Sequence, residues 1–147
     1  MYGSYQRARV HKSTNGGNSF SQIFSPGTVG IPASGTGVSQ TSPFVLSEAN
    51  PDILYVGTSY ISKSTNAGNS WSLMNGGNEL NGSPSISMAT SYQDEDILYV
   101  GTSPITTSAS VFLTDNGGNS FTDITGNLPD RYPVDIAVDP NNDSIVY

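Results

Sequence analysis

The octet "STNAGNSW", Ser64–Trp71, has two near-copies in the same chain: "STNGGNSF" at Ser13–Phe20 and "TDNGGNSF" at Thr114–Phe121. Aligned, all three read hydroxyl, any residue, Asn, small residue, Gly, Asn, Ser, aromatic. Their starts lie 51 and then 50 residues apart. A fixed period of this length is the mark of a stacked repeat. A second phrase keeps nearly the same step. "ILYVGTS" runs from Ile53 to Ser59 and again from Ile97 to Ser103, and "SIVY" ends the sequence at Ser144–Tyr147. Each copy follows a turn-forming segment: "EANPD", "YQDED" or "DPNND". Before each turn stands an apolar run: "PFVLS", "SISMA" or "VDIAV". One repeat thus reads strand, turn, strand, variable loop, strand, octet turn, strand.

The octet explains itself as a corner. Asn-Gly and Asn-Ala-Gly favour positive φ, which lets two antiparallel strands meet in a tight hairpin. The hydroxyls of Ser13, Ser64 and Thr114 and the side chains of Asn15, Asn66 and Asn116 are placed to bond turn amides that would otherwise lack partners. Gly17, Gly68 and Gly118 complete the turn. Phe20, Trp71 and Phe121 are expected to open the next strand and to anchor it between sheets, each worth roughly 1.5–3 kcal/mol if buried. Every fixed position has a structural role, and none calls for a ligand.

Composition agrees with many short strands. The 147 residues hold 16 glycines, 9 prolines and only 12% charged residues. No stretch keeps a helical period, so almost no helix is expected. A net charge of −7 argues against nucleic acid, since only "QRARVHK" (Gln6–Lys12) gathers basic residues. With no cysteine, disulfides and thiolate metal sites are excluded. No apolar run is long enough to cross a membrane as a helix, and "MYGSYQRARV" carries no apolar core of a signal peptide.

The octet resembles the Asp-box, or bacterial neuraminidase repeat (BNR), whose pattern is Ser/Thr-x-Asp-x-Gly-x-Ser/Thr-Trp/Phe. Asn15, Asn66 and Asn116 stand at the Asp position and keep the acceptor oxygen without its charge. "ILYVGTS", "VDIAVDPNNDSIVY" and "SFTDITGNLPD" resemble blades of sortilin-like and xyloglucanase-like propellers. The resemblance covers most of the chain apart from a loop over residues 26–42. It implies an all-β fold, a β-propeller segment of about three four-stranded blades. Residues 1–25 form the second half of a blade, 43–76 and 85–126 two whole blades, and 132–147 the first half of another. It also implies a secreted or cell-surface bacterial protein, with the box turns lying away from the catalytic face. Two arrangements stay open for the remaining blades: a longer chain, or a second copy that closes the ring.

Residues able to carry chemistry are few. A glycosidase needs two carboxylates roughly 5–10 Å apart across a cleft. The candidates are Asp94, Glu95, Asp96, Asp115, Asp135 and Asp139. All but Asp135 fall in turns, where Asp is a natural turn former. Asp135 alternates with Val134 and Ile136 and is the one expected near a central channel. The three-arginine set of sialidases is not matched by Arg7, Arg9 and Arg131. His11 reads as a surface residue, and "DPNND" as a turn without the ligand spacing of a calcium loop. Tyr5, Tyr60, Tyr92 and Tyr132 are the exposed aromatics suited to sugar rings or protein partners. Tyr60, Tyr92, Tyr132 and Asp135 are therefore the candidate ligand-binding residues. No residue is assigned to catalysis, no metal site is read, and no cofactor is called for.

The leading expectation is a non-catalytic scaffold that binds protein or glycan. The alternatives are part of a xyloglucanase-like glycoside hydrolase and a sortilin-like peptide receptor.

Overall fold

The computed structural model describes residues 1–31 and 38–147. Its strands are β1 (Tyr2–Tyr5), β2 (Arg9–Lys12), β3 (Ser21–Phe24), β4 (Phe44–Leu46), β5 (Leu54–Gly57), β6 (Ile61–Ser64) and β7 (Ser72–Leu73). They continue as β8 (Ser85–Thr90), β9 (Leu98–Thr102), β10 (Val111–Thr114), β11 (Thr122–Asp123), β12 (Val138–Asp139) and β13 (Asn142–Val146). Helical structure among the described residues is confined to 3-10 turns at Pro26–Val29 and Asn75–Gly77. The first of these opens the 26–42 segment read as a loop, of which 32–37 lie outside the described residues.

Every sheet follows chain order with antiparallel neighbours. β1-β2-β3 make a three-stranded sheet, β4-β5-β6-β7 and β8-β9-β10-β11 make two four-stranded sheets, and β12-β13 pair alone. Register repeats between them: Tyr55 stands opposite Lys63, Tyr99 opposite Leu113, and Tyr2 opposite Lys12. "LYV" in β5 and β9 is buried along its whole length rather than on alternate residues. Such runs arise where both faces of a strand are covered, and here each face meets a neighbouring sheet. Val10 and Phe24 of the first sheet pack with Val56 and Trp71 of the second. Tyr55, Ile61 and Met74 of the second pack with Met88, Val100 and Phe112 of the third.

The glycine of "LYVG" has a packing reason, not a turn. A Cβ on Gly57 would lie 2.8 Å from Ser85 Cβ and 3.0 Å from Pro43 Cγ; one on Gly101 would lie 2.8 Å from Pro133 Cγ. Ser85 at the start of β8 and Pro133 ahead of β12 thus stand against bare backbone of the preceding sheet, a close approach that only glycine permits.

The three octets fold alike. In the second, Ser64 Oγ accepts from Gly68 N at 2.9 Å and donates to Asn66 Oδ1 at 3.1 Å. Asn66 Oδ1 also accepts from Ser70 N at 2.8 Å, and its Nδ2 donates to Ser70 Oγ at 2.8 Å. Ser13, Asn15 and Ser19 make the same set, as do Thr114, Asn116 and Ser120. Ala67 and Gly68 hold φ of 55° and 87°, the paired positive values that a tight corner needs. Charge at the Asn position is not required, because both acceptor and donor functions of the amide are used.

The aromatics depart from expectation in two ways. Each precedes its strand by one residue instead of opening it, with β3, β7 and β11 beginning at Ser21, Ser72 and Thr122. Trp71 and Phe121 do pack into the intersheet clusters, whereas Phe20 is 46% exposed. It belongs to neither intersheet cluster among the described residues. Asp135 also differs. It lies outside β12, exposed, with its carboxylate accepting from the adjacent Ile136 N at 3.0 Å.

Candidate functional site

Antiparallel order gives each sheet two ends with different contents. The turns β4–β5 and β8–β9 share one end with the octets, as the bonds Ala67 N to Asp52 O (2.8 Å) and Gly117 N to Asp96 O (3.1 Å) show. The connections β5–β6, β7–β8, β9–β10 and β11–β12 therefore gather at the opposite end.

At the octet end the acidic residues are occupied in construction. Asp94 Oδ1 accepts from Asp96 N at 2.9 Å, and Asp139 Oδ1 from Asn141 N at 2.8 Å. Glu95 takes a bond from Asn50 Nδ2 at 2.6 Å. Each "LYV" tyrosine reaches across to the next acidic turn: Tyr55 to Glu95 O at 3.1 Å and Tyr99 to Asp143 O at 2.6 Å. Burial, with Asp96 and Glu95 adding to it, pushes the Tyr55 hydroxyl far above its ordinary pKa; burial and Asp143 raise Tyr99 likewise. Both stay neutral donors. Lys12 Nζ bonds Ala67 O at 2.8 Å and Lys63 Nζ bonds Gly117 O at 3.2 Å, each stitching one sheet to the next octet. Asp115 is an exposed octet residue.

The opposite end is built of loops. Ser59 Oγ donates to Glu79 Oε1 at 2.6 Å, Ser83 Oγ accepts from Thr106 N and Thr107 N, and Asp130 Oδ1 accepts from Ala109 N at 2.8 Å. Asp123 sits beside this group, its pKa lowered by the Thr125 hydroxyl and amide. A hollow of about 180 Å³ opens here, with Val111, Leu128, Tyr132 and Pro133 among its walls and Arg131 at its side. Tyr132 is 55% exposed.

The candidate ligand residues do not converge. Tyr60 belongs to the β5–β6 loop, held by Thr58, and shares the loop end with Tyr132. Asp135 follows Tyr132 on the way to β12. Tyr92 belongs to the β8–β9 turn at the octet end and borders a separate groove of about 220 Å³ with Leu46, Glu48 and Ala137 along the innermost strands. Tyr5 is exposed at the first sheet, its ring edge-on to His11 at 6.4 Å. Six carboxylates were not among the candidates read from the sequence: Glu48, Asp52, Glu79, Asp123, Asp130 and Asp143. For two of them the signal is positional. Glu79 and Asp130 lie in connections between repeats, which antiparallel order sends to the end away from the octets.

Two solved structures share this arrangement. The GH74 enzyme of Niastella koreensis superimposes with a TM-score of 0.64 at 24% identity, over 91% of this chain and 21% of that one. An ancestral GH74 enzyme gives 0.67 at 22% identity, over 99% of this chain and 19% of that one. This chain is a segment of a β-propeller. Its four-stranded sheets are blades, and the chain spans about a fifth of the length of the enzymes it resembles. No protein-family model and no curated protein matches it.

Proposed function

We propose that this segment belongs to a glycan-acting propeller of the glycoside hydrolase class and that its loop end holds polysaccharide. The observation that carries the reading is the match of nearly the whole chain to a GH74 enzyme fold, joined to an exposed aromatic hollow on the end free of octets. The Tyr132 ring offers an apolar face to sugar C–H groups, and Arg131 and the loop hydroxyls offer polar contacts beside it. Glu79 and Asp130 each hold a loop through a hydrogen bond. In this reading the segment binds substrate, and the acid–base pair of the hydrolase stands elsewhere in the protein. An extracellular or cell-surface location goes with a polysaccharide substrate.

Calorimetry of the 147-residue chain with xyloglucan oligosaccharides tests the proposal. Saturable binding, weakened about tenfold by Tyr132→Ala (about 1.4 kcal/mol), is expected. Blank glycan titrations together with saturable binding to a peptide array would replace it with the scaffold or receptor reading.

A further inference from the structure

The basic residues of this chain are gathered at one place. Residues 1–47 contain Arg7, Arg9 and Lys12 and no Asp or Glu. All 12 acidic residues lie from Glu48 onward, where Lys63 and Arg131 are the only Lys or Arg. Lys12 is occupied, bonding Ala67 O at 2.8 Å. Arg7 lies in the β1–β2 turn and Arg9 begins β2, both at the loop end and both exposed. Among the described residues neither guanidinium has a hydrogen-bond partner, whereas Arg131 Nη1 donates to Asp130 O at 3.1 Å. The turn itself is strained. Arg7 and Ala8 hold φ of 59° and 54°, left-handed values that residues other than glycine adopt only at a cost. The equivalent β5–β6 connection, Thr58–Tyr60, has no such residue. Ala8 is buried with Val10, Phe24 and Val56, so packing against the second blade holds the turn in this shape. Strain of this kind collects at binding sites. Here it accompanies a hollow of about 350 Å³ with Arg7, Arg9, Gln22 and Ser25 among its walls, within the roughly 300–1,000 Å³ of small-molecule sites.

The repeat shows what such a place accepts. Gln22 stands opposite His11 as Asp123 stands opposite Phe112. In the third blade this position therefore carries a carboxylate, bonded by the amide and hydroxyl of Thr125. In the first blade the carboxylate is missing and two arginines stand beside its place. A neighbouring sheet does not close this position. In the second and third blades, each with a sheet before it, Tyr60 and Ser110 at the place of Arg9 and Leu73 at that of Gln22 are half-buried, and Asp123 is exposed. We propose that this hollow binds the oxyanion of an acidic sugar unit, a carboxylate or a sulfate ester, between Arg7 and Arg9, with the Gln22 amide beside them. Guanidinium forks match such groups bidentately. Charge complementarity selects the ligand, since this is the part of the chain without acidic residues. The inference rests on the glycan reading of the loop end and adds a charged unit to it.

Calorimetry of the 147-residue chain with trigalacturonate and with a carrageenan tetrasaccharide tests the site, at one fixed low ionic strength. Saturable binding of at least one of these probes is expected, and the preferred probe tells carboxylate from sulfate ester. Arg7→Gln and Arg9→Gln should each weaken it about tenfold. Both positions are exposed, so the variants should retain the circular dichroism of the parent. Arg9→Lys keeps the charge and loses the fork, and about a fivefold loss is expected. A diffuse basic patch would not register that change. Blank titrations with both acidic probes, binding indifferent to the glutamine variants, or an Arg9→Lys chain that binds like the parent overturns the proposal. Neutral xyloglucan oligosaccharides and Tyr132→Ala read the hydrolase reading separately. Neutral sugar bound with both acidic probes blank sinks this site alone. Acidic sugar bound with neutral probes blank keeps this site and removes the one at Tyr132.

Discussion

The indole Nε1 of Trp71 donates to the backbone oxygen of Ile23 at 2.9 Å, across the boundary between the first and second blades. The same ring lies 4.7 Å from that of Phe24. Sequence places the two residues 48 apart, so the bond exists only because the repeat stacks. Trp71→Phe keeps most of the apolar contact and loses the bond, and about 1 kcal/mol of stability should go with it. Trp71→Ala should cost about 3 kcal/mol. Urea midpoints of the two variants measure the split between hydrogen bond and burial.

Gly16 and Gly118 both hold positive φ, 71° and 93°, yet their surroundings differ. A Cβ on Gly16 meets nothing within 4 Å, whereas one on Gly118 runs into Met74, with Cγ at 3.0 Å. Alanine at either position carries the strain of a left-handed backbone. At Gly118 overpacking adds about 1–3 kcal/mol more. Equal losses in thermal unfolding would show that Met74 moves aside freely.

Ser62 Oγ is buried without a hydrogen-bond partner among the described residues. Its desolvation is uncompensated, a cost of about 1–3 kcal/mol. Ser62→Ala should therefore be neutral or stabilising. A drop in melting temperature on this substitution would reveal a partner for the hydroxyl.

Tyr55 sets a limit on stability in alkali. Its folded pKa is raised, by burial first and then by Asp96 and Glu95. The stability tied to its neutral form is whole below the ordinary tyrosine value of about 10 and declines as pH rises above it. Tyr99, raised by burial and Asp143, acts in the same direction. Urea unfolding between neutral and strongly alkaline pH should show falling midpoints. Tyr55→Phe should flatten that fall while costing about 1 kcal/mol near neutrality through the lost bond to Glu95 O. A variant whose midpoints fall as steeply as the parent's would assign the alkaline limit to other groups.

The strands and their order were legible because they rest on local chemistry. The octet's hydroxyl, amide and glycine bond within a few residues of themselves, so three copies announce three corners without knowledge of any neighbour. The glycine of "LYVG" was not legible, since its reason is Ser85 at Gly57 and Pro133 at Gly101, each standing against it from the following repeat. Nor was the division of the tyrosines. The repeat sets Tyr92 in the "YQDED" turn and Tyr60 just after "ILYVGTS", but only antiparallel order sends Tyr92 to one end and Tyr60 and Tyr132 to the opposite end. Asp135 misled because alternation with Val134 and Ile136 suggested a strand that begins only at Val138.

By itself the sequence determined the corners, the strand order and the all-β class, because each depends on backbone preferences and bonds closed over short distances. The tertiary structure alone decided what lies against what: Trp71 over Ile23, Met74 on Gly118, Phe20 in solvent. Three aromatics equivalent in their repeats acquire different surroundings because packing depends on whether a neighbouring sheet is present, a condition that no single repeat encodes.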